Sequence, residues 1–124
     1  MLVEIDFNSE EAIYLQLRDQ IILMIATASL SDGQVLPSVR QLADEVGINM
    51  HTVNKTYSLL KQEGFIKVDR RKGAVVSVDE DKLRAKAEVD KNLRVILAEA
   101  MCRNLTRSDI HKMVDEIYDE YGGS

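Results

Sequence analysis

Apolar residues recur along this chain at two spacings, and the switches between them mark its elements. From Leu36 to Gly64 (LPSVRQLADEVGINMHTVNKTYSLLKQEG) the spacing is helical twice over. Pro37 fixes the entry, because its ring sets φ and it cannot continue a preceding helix. Ser38, with Gln41 three residues on, makes a capping-box pattern. Val39, Leu42, Ala43 and Val46 then share one face. Gly47 ends that helix, since Gly adopts a left-handed backbone without strain. Ile48 packs in the turn, and Asn49 caps a second helix that runs to about Glu63. In it Val53, Tyr57 and Leu60 repeat at i, i+4, i+7 and turn inward. Met50, His51, Asn54, Lys55 and Ser58 are left facing out. Two short helices, a Gly turn and a polar outward face make a helix-turn-helix able to read DNA.

Upstream, residues 1–8 alternate in part (Leu2, Val3, Ile5, Phe7), which predicts an extended arm or an edge strand. Ser9 with Glu10 and Glu11 suits a helix start. From Ala12 to about Leu30, Tyr14, Leu17, Ile21, Met24, Ile25 and Ala28 mark one face, widened by Ile13, Ile22 and Leu23. Ser31-Asp32-Gly33 reads as a turn. After Gly64 come two β-prone runs: Phe65, Ile66 and Val68, then Ala74, Val75, Val76 and Val78. The polar stretch Asp69 to Gly73 between them predicts a hairpin with a basic tip. A helix-turn-helix followed at once by a hairpin is a winged helix. Asp79-Glu80-Asp81 opens a further helix to about Arg103, with Leu83, Ala87, Leu93, Ile96, Leu97, Ala100 and Met101 on its face, interrupted by Asp90. Thr106 and Asp109 predict the cap of a last helix carrying Ile110, Met113, Val114, Ile117 and Tyr121. Gly122-Gly123-Ser124 reads as a frayed end. The fold class expected is mainly α with a small β-hairpin: a winged helix-turn-helix over 1–78 and a two-helix tail over 79–124. Two tail helices of this size cannot bury their apolar faces alone, so they must fold onto the winged helix or onto another chain.

Composition narrows this picture. A chain of 124 residues with 45% apolar content supports one globular domain with a small appendage. One Pro and six Gly among many helix formers fit a mainly helical chain. Cys102 stands alone, so no intrachain disulfide is available and a reducing compartment is expected. The start, MLVEIDFNSEE, carries acid and no long apolar run, as neither a signal peptide nor a membrane span would. The expected location is cytoplasmic, with no membrane partner.

The net charge of −5 looks wrong for a nucleic-acid binder until it is divided. Residues 37–78 carry seven basic and four acidic side chains; residues 1–36 carry one basic and six acidic, and residues 79–124 eight basic and eleven acidic. Only the middle is positive, and binding needs a local positive face rather than a positive total. Arg70, Arg71 and Lys72 would ordinarily read as a solvated turn. At a wing tip beside a recognition helix they reach phosphates, and each phosphate neutralised makes affinity salt-dependent.

Other chemistry is weaker. His51, alone on an exposed helix start, reads as a base or phosphate contact rather than a metal ligand or general base. Cys102 and His111 are nine residues apart, too sparse a set for zinc. Asp79-Glu80-Asp81 reads as helix-start acidity rather than a cation site. No paired carboxylates, Ser–His–Asp set or Gly-rich phosphate loop stands out, so neither an enzyme nor a cofactor is expected. The rival from another class is a winged helix that binds protein.

The motif LPSVRQLADEVGINMHTVNKTYSLLKQEGFIKV, with IYLQLRDQII before it, resembles the GntR family of bacterial transcription regulators over about residues 12–78. The short tail is similar to the YtrA-like subfamily. The resemblance implies a homodimer on a palindromic double-stranded operator, often of a transporter operon. The implied DNA contacts are Arg40, with Ser38 capping and touching phosphate, then Asn49, Met50, His51, Thr52, Asn54 and Lys55, and the wing residues Arg70, Arg71, Lys72 and Gly73. Thr52 and Lys55 match the family pattern, while Met50 and His51 lie at variable positions that set operator preference. Arg71 stands where members often have a second wing Gly, and Ala12 replaces a frequent Pro. Dimerisation is assigned to the tail, with Leu93, Ile96, Leu97, Ala100, Met101, Ile110, Met113, Val114 and Ile117 as candidate contacts. The operator, the direction of regulation and any small-molecule effector are unknown from sequence.

Overall fold

A computed structural model describes residues 1–123. It contains five helices and a two-stranded hairpin in the order α1 (Ile13–Ala26), α2 (Val39–Val46), α3 (Met50–Gln62), β1 (Ile66–Asp69), β2 (Gly73–Val76), α4 (Lys82–Cys102) and α5 (Arg107–Tyr121). The chain divides into two compact units, Met1–Asp79 and Glu80–Ser124. The fold is mainly α with a winged helix in the first unit.

The first unit closes on a core of Leu17, Ile21, Leu30, Leu36, Leu42, Ala43, Val53, Tyr57, Leu60, Ile66 and Val76. The caps fall where the sequence puts them. Ser38 Oγ accepts from Gln41 N at 3.1 Å and Gln41 Oε1 accepts from Ser38 N at 2.9 Å. Gly47 holds φ at 77° and its N–H reaches Ala43 O. Val53, Tyr57 and Leu60 are buried, and Thr56 joins them, its Oγ1 donating to Tyr14 O at 3.0 Å. This bond joins α3 to α1. Tyr57 donates its hydroxyl to Pro37 O at 2.7 Å, and burial pushes the phenol pKa up.

Strands β1 and β2 pair antiparallel, with Ile66 opposite Val76 and Asp69 opposite Gly73. Val78 lies beyond the strand that its apolar character suggested. The segment before α2 lies along the hairpin through an isolated bridge, Val35 to Val75, with Leu36 N donating to Ala74 O at 2.8 Å and Val76 N to Gln34 O at 2.9 Å. The sheet thereby ties the wing to the entry of the helix-turn-helix.

Helix α1 is shorter than its apolar pattern. It starts at Ile13, and Ala12 offers no side-chain cap; Ser9 Oγ instead accepts from Glu11 N ahead of the helix. It ends at Ala26, where Thr27 Oγ1 bonds Leu23 O and Ala28 takes φ of 63°. Ala28 is exposed, while Leu30 returns to the core from outside the helix. Periodicity reported burial here, not backbone.

Residues 1–8 form an arm and not a strand. Its backbone is held by two side-chain amides of α1. Gln20 accepts from Glu4 N and donates to Glu4 O, and Gln16 accepts from Asp6 N and donates to Asp6 O and Glu11 O. The match is geometric: two extended residues advance roughly 6.6 Å and four helical ones about 6.0 Å.

In the second unit, Asp81 caps α4 by accepting from Leu83 N and Arg84 N. Thr106 and Asp109 form a complete capping box on α5. The N–H of Thr106, which donates to Asp109 Oδ2 at 2.8 Å, is the chief reason the Asp109 carboxyl is held below the usual range, with the Thr106 side chain adding to it. Asn104 takes φ of 62° at the elbow, and Leu105 N donates to Ala100 O at 3.0 Å. Ala100 is buried, and Leu97 and Ile110 are half-buried. The rest of both apolar faces is open: Leu83 is 82% exposed and Met101 74%. At 100° per residue the apolar stripe of α4 runs through Ala85, Val89, Leu93, Ile96 and Ala100. Leu83 and Ala87 lie well off it. A shallow groove lined by Lys82, Ala85, Lys86, Val89, Asp90 and Leu93 follows the stripe's first half. The end of the chain is not frayed as far as Gly123: Gly122 caps α5 and Gly123 N donates to Tyr118 O at 2.9 Å, while Ser124 lies outside the described residues.

Candidate nucleic-acid interface

The outward face of α3 is what the core leaves unclaimed. Met50, His51, Asn54, Lys55 and Ser58 are exposed and Thr52 is half-buried. The first turns of α2 and α3 line a shallow groove with Val39, Asn49, Met50, His51 and Asn54. Arg40 is exposed on the first turn of α2.

Two of these side chains are partly committed. Asn49 Oδ1 accepts from His51 N at 2.7 Å, capping α3, so only its NH₂ group is left to donate outward. Ser38 is likewise the N-cap of α2, with a hydroxyl proton still to offer. Asn54 keeps both donor and acceptor, the combination that pairs bidentately with adenine. Lys55 places its ammonium 3.9 Å from the centre of the Tyr14 ring, a cation–π contact that aims the charge from the edge of α3. Arg18 is spent elsewhere: it grips Glu63 with two bonds of 2.8 and 2.9 Å and Asp19 with one of 2.7 Å. The hydrogen bond to Glu63 is the chief reason its pKa rises, so this cation neutralises acid at the end of α3.

At the wing tip, Arg70, Arg71 and Lys72 are all exposed. Three residues separate Asp69 from Gly73, and Gly73, the first residue of β2, takes φ of 85°, a left-handed conformation that favours glycine. Arg71 is not among the positive-φ residues, so the side chain standing at the second family-Gly position carries no backbone strain. Asp69 Oδ1 closes the loop, accepting from Arg71 N at 2.8 Å and Lys72 N at 3.0 Å. Those backbone bonds hold the Asp69 carboxyl below the usual range. Sequence reasoning passes over Asp69, although Asp followed two to three residues on by free N–H groups is the pattern of an Asx turn. It also misses Tyr14 as the partner of Lys55, a contact 41 positions apart in sequence.

Among the described residues, no group of three or more His, Cys, Asp or Glu side chains is placed to hold a metal, and no helix is long and apolar enough to cross a membrane. Cys102 is free and exposed.

Comparison with known proteins agrees with this geometry. The family described as bacterial regulatory proteins, gntR family, matches residues 11–76. The HTH-type transcriptional repressor YtrA of Bacillus subtilis is 26% identical over 125 residues, covering 98% of this chain and 96% of that protein. YtrA from Sulfolobus acidocaldarius, a GntR-family transcription factor of known structure, is 39% identical with a TM-score of 0.59, covering 95% of this chain and 97% of the other. A transcriptional antiterminator structure from Listeria monocytogenes superposes with a TM-score of 0.86 at 26% identity, over 100% of this chain and 95% of its own. The family and fold are those of transcription regulators and not of enzymes. The family match over residues 11–76, with likeness to YtrA proteins over 95–98% of the chain, shows that this protein belongs to the GntR family of regulators, in its YtrA-like branch.

Proposed function

We propose that this chain is a cytoplasmic repressor that binds a palindromic operator as a homodimer. In this reading residues 1–78 bind DNA and residues 79–124 dimerise. The observation that carries it is the division of α3: Val53, Thr56, Tyr57 and Leu60 are buried, while His51, Asn54, Lys55 and Ser58 face solvent in the unit that also bears the Arg70–Lys72 tip. A helix of this kind enters the major groove, and Asn54 and His51 offer donors and acceptors to base edges. Met50 contacts a thymine methyl; Arg40 and Lys55 serve phosphate or guanine. The acidic remainder of the chain repels phosphate and limits non-specific binding.

The dimer follows from the open faces of α4 and α5, and two-fold symmetry gives a palindrome with half-sites about one helical turn, roughly 34–36 Å, apart. Repression is the reading favoured by likeness to the YtrA repressor, and a transporter operon is the target that the family resemblance implies.

Selection of duplexes from a random pool, then affinity for the recovered and a scrambled duplex at two salt concentrations, tests this. The expected result is an inverted repeat, preferred over the scramble and bound less tightly as salt rises. Searching the source genome for that repeat then checks the transporter assignment. His51→Ala or Asn54→Ala should change which repeats are recovered more than total affinity. No enrichment and no salt-dependent binding would refute the reading and leave a protein-interaction module in its place.

A further inference from the structure

Three consecutive cations on an exposed loop repel one another and gain nothing from the core, yet the backbone of the tip Arg70–Lys72 is held by a side chain. Its side-chain anchor is Asp69, whose Oδ1 takes the N–H groups of Arg71 and Lys72 at 2.8 and 3.0 Å. The cross-strand pair Asp69–Gly73 fixes both ends of the loop, and Gly73 supplies the left-handed turn. An acid here is a poor choice on charge alone, because it subtracts from the positive tip that meets phosphate. The acceptor geometry is what it contributes: an Asx turn that sets the backbone before any partner arrives. Ordering a loop in advance removes that cost from binding.

We propose that Asp69 is a positioning residue for the wing: its side-chain oxygen pre-arranges the backbone of Arg70–Lys72 so that the three cations engage DNA already ordered. The proposal rests on the DNA-binding reading above. It predicts opposite behaviour for two substitutions that remove the same charge. Asp69→Asn keeps an acceptor oxygen for the two N–H groups, whereas Asp69→Ala keeps none.

The test uses the full chain, the selected duplex and a scrambled duplex, with affinity measured by fluorescence anisotropy across a salt series. Asp69 lies at the surface, and thermal melts check that both variants fold. Asp69→Asn should bind as well as the native chain or more tightly. Asp69→Ala should bind both duplexes about tenfold less tightly, with a log–log salt slope shallower by about 0.9, the value of one phosphate contact. In the free protein, the Arg71 and Lys72 amide protons should keep their NMR shifts in the Asn variant and move toward unstructured values in the Ala variant. Equal affinity of the two variants, whether both unchanged or both weakened, would overturn the proposal, as would unmoved amides in Asp69→Ala. A native chain that binds neither duplex would refute the DNA-binding reading, and this proposal with it; equal variants beside a binding native chain would refute this proposal alone.

Discussion

The two units of this chain spend their apolar residues in opposite ways. In the first, Leu17, Ile21, Leu42, Val53 and Leu60 are all 0% exposed. In the second, Leu83 is 82% exposed, Val95 60% and Ile96 56%, and only Ala100 is buried among the described residues. Burying such a side chain is worth roughly 1.5–3 kcal/mol, so the first unit has collected its stabilisation and the second has not. The winged helix is a finished fold. The tail keeps its apolar faces open, and a second copy of itself is the partner proposed above.

This contrast is open to attack at several points. The largest effect is expected in the core. Leu60→Ala should lower the unfolding free energy by about 2–5 kcal/mol, while Leu83→Ala should stay within about 0.5 kcal/mol. Chemical denaturation followed by circular dichroism checks both, and equal losses would erase the distinction. Next comes Ile96→Asp, placed on the open stripe of α4. It should turn the dimer into a monomer in analytical ultracentrifugation and weaken operator binding by about a hundredfold, because the two half-sites are no longer engaged together. A dimer that survives would move the interface elsewhere. Changing Arg70, Arg71 and Lys72 together to Ala should weaken binding to all duplexes and flatten the salt slope by about 0.9 for each phosphate left without its cation. An unchanged slope would remove the wing from the mechanism. The smallest effect is a gain. Ala28 holds φ of 63° in the open, and Ala28→Gly should stabilise the first unit by about 1 kcal/mol, read as a higher melting temperature.

What is legible in the sequence is local. Ser38 with Gln41, Gly47, Asn49 and the Thr106–Asp109 box each act within three or four residues, and each stands where its pattern puts it. The division of α3 into buried and outward faces is legible too, because its apolar spacing is strict. The hairpin and its basic tip can be read, but not the carboxylate that orders the tip, since Asp69 looks like one more polar turn residue. Long-range contacts leave no signal: the hold of Gln16 and Gln20 on the arm, the Lys55–Tyr14 contact and the Arg18–Glu63 pair join distant segments. The α4 stripe is misphased at its start because Leu83 and Ala87 are apolar but lie about 100° or more from the line of Ala85, Val89 and Leu93. With no core to face, that helix offers nothing to fix its phase.

In the reading proposed above, DNA touches the α3 outward face and the wing of the first unit. Titrating the selected operator duplex into isotope-labelled full-length protein, and following backbone amides by NMR, addresses it directly. The largest shifts are expected at Arg40, from Asn49 to Lys55, and from Arg70 to Gly73, with α5 little changed. Largest shifts along α4 and α5, with α3 silent, would contradict it.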